Sequence, residues 1–168
     1  SRVMREIILP AVQGMAAEGT PYVGFLYAGL MIDREGNPRT LEFNCRLGDP
    51  ETQPIILRLK SDLVELIERA LAGRLEHAEA DWDRRSALGV VLAAPGYPEE
   101  PRKGDRIEGL PKPSPACRAF HAGTRLEGKN VLTNGGRVLC VTALGDSVRM
   151  ARTTAYEAED RIRFEGMQ

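Results

Sequence analysis

Glu42, Asn44 and Arg46 occupy every second position of an apolar run, "LEFNCRL", and the turn Gly48-Asp49-Pro50-Glu51 follows at once. A carboxylate and a carboxamide two residues apart offer oxygen ligands to a hard divalent cation such as Mg²⁺. Such an ion often takes only one or two ligands from protein and completes its shell with waters and the phosphates of a nucleotide. Arg46, two residues further on, carries the planar fork that clamps a phosphate or carboxylate through paired hydrogen bonds.

A row of this kind needs a strand beneath it. Side chains alternate faces along a strand, so Glu42, Asn44 and Arg46 are expected on one face, with Leu41, Phe43, Cys45 and Leu47 on a core face. "YVGFLYAGLMID" reads as a strand apolar on both faces, "REGNP" as a turn and "RTLEFNC" as the second arm of a β-hairpin. On alternation alone, the wet face of an exposed hairpin is the favoured account of these three residues, ahead of a metal site.

Helices should flank the hairpin. In "SRVMREIILPAVQGMAAEG" the residues Val3, Ile7, Ile8, Val12 and Met15 fall near helical spacing, with Pro10 kinking or dividing the helix and Gly19 stopping it. Beyond the turn, Asp62 caps a helix with Glu65 three residues on, and Leu63, Leu66, Ile67, Ala70 and Leu71 make its core stripe up to Gly73. "LEHAEADWDRR" is polar, with little to bury except Trp82, and reads as a linker. A boundary placed there gives domains 1–78 and 79–168. The second begins with "SALGVVLAAPGYP" and continues as short strands divided by Gly and Pro, with Asn134-Gly135-Gly136 read as a hairpin turn. A helix from about Asp146 to Phe164, striped by Val148, Ala151, Ala155, Ala158 and Ile162, closes it. The fold class expected is α+β.

With 168 residues, 42% hydrophobic and 28% charged, the chain can bury the core of one medium domain or two small ones. Its net charge of -1 gives no general field to draw nucleic acid or an anionic membrane, so any charged ligand must be held locally. Three cysteines without a CxxC or a His at metal spacing indicate neither a disulfide framework nor a zinc site. A reducing, cytoplasmic setting is the expectation. The longest apolar stretch, around Leu88 to Pro95, falls far short of the ~20 residues that span a bilayer. The chain is expected to be soluble, without a signal peptide. An opening without an initiator Met, on an amphipathic helix, reads as a piece of a longer chain.

The string "FLYAGLMIDREGNPRTLEFNCRLGDPETQPIILRLKSDLVEL" resembles the closing half of an ATP-grasp ligase, and specifically the glycinamide ribonucleotide synthetase (phosphoribosylamine–glycine ligase) family. "LGVVLAAPGYP", "GLP", "FHAGT" and "TNGGRVLCVTALG" are similar to that family's carboxyl-terminal domain. The resemblance covers nearly the whole chain, with least support in 76–86 and 98–118. It implies the C-terminal part of an ATP-grasp domain followed by a small antiparallel β-rich domain with a packing helix. It implies that Glu42 and Asn44 ligate Mg²⁺ or Mn²⁺ beside the phosphates of ATP. Arg46, Gly48, Asp49, Pro50 and Glu51 would line the pocket where glycine and 5-phosphoribosylamine meet the γ-phosphate, Arg46 in a catalytic role. The implied reaction makes glycinamide ribonucleotide, ADP and phosphate through glycyl phosphate, a step of purine biosynthesis.

The chain departs from the family pattern in two ways. No carboxylate stands at Ala28-Gly29-Leu30, where several ATP-grasp enzymes carry a second acidic ligand, so metal binding rests on Glu42, Asn44 and the nucleotide. The family's lid, adenine pocket and amino-terminal domain precede this segment, so the chain alone is expected to lack ligase activity and to need the missing N-terminal part as partner. The alternatives are another ATP-grasp carboxylate–amine ligase, or a non-catalytic module that kept the half-fold. His121 is expected to be a partnered structural residue and His77 a solvated one. Cys45 is expected as a buried thiol on the core side, and Asp33, Arg34 and Glu35 as turn and surface charges.

Overall fold

Pro10 does not divide the amino-terminal helix in the computed structural model, which describes residues 1–168: the helix runs unbroken from Arg2 to Ala17, with a π-helical stretch, Met4–Ile8, ahead of α1, Leu9–Ala17. Proline has no N–H to donate, and the π-helical turn just before it is the local adjustment that lets the helix run on. By backbone packing the chain falls into two units, Ser1–Gly48 with Asp62–Glu79, and Asp49–Ser61 with Ala80–Gln168.

In the first unit β1, Tyr27–Ile32, pairs antiparallel with β2, Pro38–Asn44. Asp33, expected as a plain turn charge, closes the connection: its Oδ1 accepts from the backbone N–H of Glu35 at 3.1 Å and of Asn37 at 2.7 Å, and its Oδ2 from the Asn37 amide at 3.1 Å. These donors hold the Asp33 carboxyl below its ordinary pKa. The register slips between Gly29 and Leu30: Gly29 faces Glu42 while Leu30 faces Thr40, leaving Leu41 as a bulge just before Glu42.

The expected core face is not one. Leu41 is 65% and Phe43 46% exposed, Cys45 is exposed rather than buried, and Met31 and Ile32 of the arm expected to be buried on both faces are exposed too. The reason is architectural: a ribbon of two strands, with no third strand in its sheet, cannot seal either face.

Asp62 caps α3, Leu63–Leu71, accepting from Val64 N–H at 2.7 Å and Glu65 N–H at 3.4 Å. Glu65 does not complete a capping box but pairs with Arg69 at 2.7 Å. Leu63, Leu66 and Ala70 of the expected stripe are half-buried, whereas Ile67 and Leu71 are exposed.

The second unit opens with a helix the sequence reading lacks, α2, Thr52–Arg58, with Pro54 in its first turn. The segment read as a linker is strapped along the end of α2. Leu59 bridges to Trp82, Lys60 N–H donates to Asp81 O at 2.9 Å, and Asp83 N–H donates to Arg58 O at 2.7 Å. The Arg58 guanidinium returns two bonds of 3.0 Å to the Asp83 carbonyl.

Six strands follow in two antiparallel sheets. One has β8, Arg137–Gly145, between β3, Ser86–Ala93, and β5, Cys117–His121; the other has β7, Asn130–Thr133, between β4, Arg106–Ile107, and β6, Thr124–Glu127. Asn134-Gly135-Gly136 is therefore not a hairpin turn: it carries the chain from β7 into the other sheet. The hairpin lies between β6 and β7, where Glu127 faces Asn130 and Gly128 takes a φ of 61°.

Strand β8 is buried on both faces, which explains its near-continuous apolar run "VLCVTAL". Leu139, Val141 and Ala143 join Leu92, Ala155, Ile162 and Phe164 in the core. Cys140 and Thr142 turn the other way, toward Gly89 and Pro54 of α2. Helix α4, Val148–Glu159, is capped by Ser147 and buries Ala151 and Ala155. It ends short of the expected Phe164, Val148 at its start is exposed, and Ile162 reaches the core from beyond its last turn.

Candidate functional site

Glu42 and Asn44 are brought together on one side of β2, where the Asn44 amide donates to Glu42 Oε1 at 3.0 Å. Opposite Glu42 in the ladder is Gly29, and a Cβ there would lie 3.0 Å from Glu42 Cγ. The carboxylate thus rests over a position that carries no side chain. Both residues are at or near the surface, so their oxygens are reachable by an ion and its waters.

Strand β2 ends at Asn44, so alternation no longer aims Arg46. Arg46 lies in a bend, exposed, and donates from Nη1 to the Leu47 carbonyl at 3.0 Å. Gly48 is buried and ends its unit, and Asp49 begins the next with a cis Asp49–Pro50 peptide. Glu51 precedes α2 as its N-terminal flanking residue, without a side-chain cap.

Asp49 is gripped by its own unit. Arg137 Nη1 donates to the Asp49 carbonyl and lies 3.4 Å from Oδ2, while Gln53 Nε2 approaches Oδ1 at 3.5 Å. Neither Gly29 nor Arg137 was legible as part of the motif, because each reaches it across a sheet or from a strand some 90 residues on.

No cluster of three or more His, Cys, Asp or Glu is placed to enclose a metal ion. The donor set does not make a closed zinc-type site. It does fit a hard cation that draws two oxygens from protein and the rest of its shell from water or phosphate. Among the thiols, burial pushes Cys140 and Cys117 above the ordinary range. His121 has a structural partner, Thr124 Oγ1, 3.0 Å from Nδ1, and His77 is exposed beside Glu76.

Residues 1–52 match the family model "Phosphoribosylglycinamide synthetase, ATP-grasp (A) domain", and residues 87–168 match "Phosphoribosylglycinamide synthetase, C domain". The chain belongs to the phosphoribosylglycinamide synthetase family. Similar curated proteins include a phosphoribosylamine–glycine ligase of Ralstonia nicotianae, 58% identical over 168 residues, covering 100% of this chain and 40% of that protein. Another, from Allochromatium vinosum, is 62% identical over 164 residues, covering 97% of this chain and 38% of that protein.

The crystal structure of the Thermotoga maritima phosphoribosylamine–glycine ligase superposes with a TM-score of 0.79 at 39% identity, over 93% of this chain and 38% of that one. The biotin carboxylase domain of a Hydrogenobacter thermophilus 2-oxoglutarate carboxylase, solved with MgADP, shares the fold at 17% identity and a TM-score of 0.65, over 98% of this chain and 37% of that one. The α+β class is that of the family. This member of the phosphoribosylglycinamide synthetase family spans about two fifths of the length of the curated relatives it matches. No helix is long and apolar enough to cross a membrane.

Proposed function

We propose that this chain is the distal part of a cytoplasmic ligase that joins glycine to 5-phosphoribosylamine at the expense of ATP, giving glycinamide ribonucleotide, ADP and phosphate. The observation that carries the reading is the Glu42–Asn44 pair, held at 3.0 Å over Gly29, in a chain 58% identical along its whole length to a named phosphoribosylamine–glycine ligase. Residues 1–78 belong to the ATP-grasp domain and 79–168 to the carboxyl-terminal domain in this reading.

Glu42 and Asn44 would hold Mg²⁺ or Mn²⁺. When bound, such an ion would supply positive charge against the phosphates of the nucleotide. Arg46 supplies a fixed cation for the same phosphoryl group or for the glycine carboxylate. The Gly48-Asp49-Pro50-Glu51 turn orients glycine and the amine. Glycine's carboxylate takes the γ-phosphoryl group to form glycyl phosphate, whose acyl carbon accepts the amine of phosphoribosylamine with loss of phosphate. Water must be kept from the acyl phosphate, a task for lid and adenine-pocket residues of the N-terminal part, which is the partner of this chain.

The test is ADP release by the complete native polypeptide, given ATP, Mg²⁺ and phosphoribosylamine, with and without glycine, for wild type and Glu42→Gln. Release that needs glycine and is lost in the variant is the expected result. Release indifferent to glycine, or no release at all, returns the polar row to another ligase or to a non-catalytic module. The 168 residues alone should be inactive, and turnover by them would refute the half-site reading.

A further inference from the structure

We infer that Arg137 is a positioning residue for the Asp49-Pro50-Glu51 turn, holding the turn's backbone to the strand that begins β8; the inference rests on the substrate role proposed for that turn. Its first support is the connection that delivers Arg137. Asn134-Gly135-Gly136 crosses between sheets, and at Gly136 the Tyr97 ring lies against the backbone where any Cβ would overlap it. Glycine there is a requirement of this close approach.

With the ring seated, the Tyr97 hydroxyl accepts from Arg137 Nε at 3.0 Å, and the guanidinium carbon stands 6.0 Å from the ring centroid. That interaction fixes one edge of the fork. The other edge, Nη1, donates to the Asp49 main-chain carbonyl and lies 3.4 Å from its Oδ2. One planar group therefore ties a tyrosine from one loop to the backbone of another. An ammonium, a point donor on a flexible stem, lacks the second edge. The Arg137 side chain is 38% exposed, so its charge is screened and what the residue supplies is geometry.

The tie acts on the turn and on nothing in the Glu42–Asn44 pair, which has its own hydrogen bond and its own unit. Loosening it should therefore disturb the substrates that the turn orients and spare the metal nucleotide. In active sites small displacements of positioning groups are costly, on the order of 10²-fold for 1 Å.

The experiment uses the complete native ligase polypeptide as wild type, Arg137→Ala, Arg137→Lys and Tyr97→Phe. It reads amide hydrogen exchange at Asp49, Glu51 and Thr52, and the KM for ATP, glycine and phosphoribosylamine separately. Expected for Arg137→Ala is exchange about tenfold faster at these amides, and a KM raised about tenfold for glycine or phosphoribosylamine. The KM for ATP should move less than about twofold, because the proposed metal–nucleotide pair, Glu42 and Asn44, keeps its own hydrogen bond. Lysine should not restore the turn, and Tyr97→Phe, which keeps the ring on Gly136, should shift the same quantities in the same direction by less.

Unchanged exchange in Arg137→Ala overturns the inference, as does an equal rise in all three KM values. If Arg137→Ala fails to fold, Tyr97→Phe carries the same test. If the wild type shows no glycine-dependent ADP release, the functional proposal fails, and the exchange rates alone decide whether Arg137 holds the turn.

Discussion

Replacing Gly29 by alanine should weaken metal use while leaving the fold intact. The new Cβ would stand 3.0 Å from Glu42 Cγ, so Cγ must retreat by about 0.4 Å to reach 3.4 Å and by about 1 Å to reach 4 Å, the range of ordinary contact. Gly29 does not have a positive φ, so alanine meets no backbone strain there. Glu42 is exposed and can swing aside. Alanine also removes freedom from the unfolded chain, worth about 0.4–1 kcal/mol in favour of the fold. Net stability should stay within about 1 kcal/mol of wild type.

The carboxylate, however, moves relative to Asn44 by a fraction of the bond it now accepts. Disturbing groups that orient metal ligands typically costs 10–100-fold in affinity. With an exposed side chain free to relax, the lower end applies: about tenfold, or ~1.4 kcal/mol. The assay is glycine-dependent ADP release by the complete polypeptide over a range of free Mg²⁺, with a urea unfolding curve alongside. A half-saturating Mg²⁺ concentration within twofold of wild type, at unchanged stability, would refute Glu42 as a ligand whose position matters.

Three further outcomes are expected. Leu139→Ala, at a fully buried position of β8, should cost about 2–5 kcal/mol in urea unfolding, and a loss below about 1 kcal/mol would contradict the double-sided burial of that strand. Arg85, through its guanidinium and then its backbone N–H, holds the Asp83 carboxyl far below its ordinary value of 3.8. Because the folded state lowers this pKa, the stabilisation is present above about pH 4 and fades as pH falls further. The gap in stability between wild type and Asp83→Asn should therefore shrink between pH 5 and pH 2, and a gap that widens on acidification would reverse the assignment. In the 168-residue chain a thiol reagent should label exposed Cys45 first, half-buried Cys117 more slowly and buried Cys140 only on unfolding, as peptide mass mapping would show.

Local chemistry was legible where a residue acts on its neighbours. Asp62 caps the helix that its spacing announces, whereas the amino-terminal helix runs on through Pro10 with a π-helical turn before it. Glu42 and Asn44 share a side because two residues along a strand return to the same face. What escaped was set by distant partners. The bulge at Leu41 depends on the register with β1, and α2 is hidden by Pro54, which reads as a breaker yet is harmless in a first turn. Asn134-Gly135-Gly136 carries a strong hairpin signal that tertiary packing overrides, since β7 and β8 find other partners. The exposure of Cys45, Leu41 and Phe43 was misjudged because alternation tells which residues share a face, not whether anything covers it.

The grouping of Asp49–Ser61 with the later strands bears on how the gene can be divided. The chain passes between its units at 48/49, 61/62 and 79/80, so no single cut releases the second one whole. A recombinant piece beginning at residue 80 would leave behind α2 and Leu59, so that the strap around Trp82 loses its partners and Gly89, Cys140 and Thr142 are bared to water and to other molecules. Any swap of this module among related enzymes, by a breeder of chimaeras or by evolution itself, has to carry the turn motif with it.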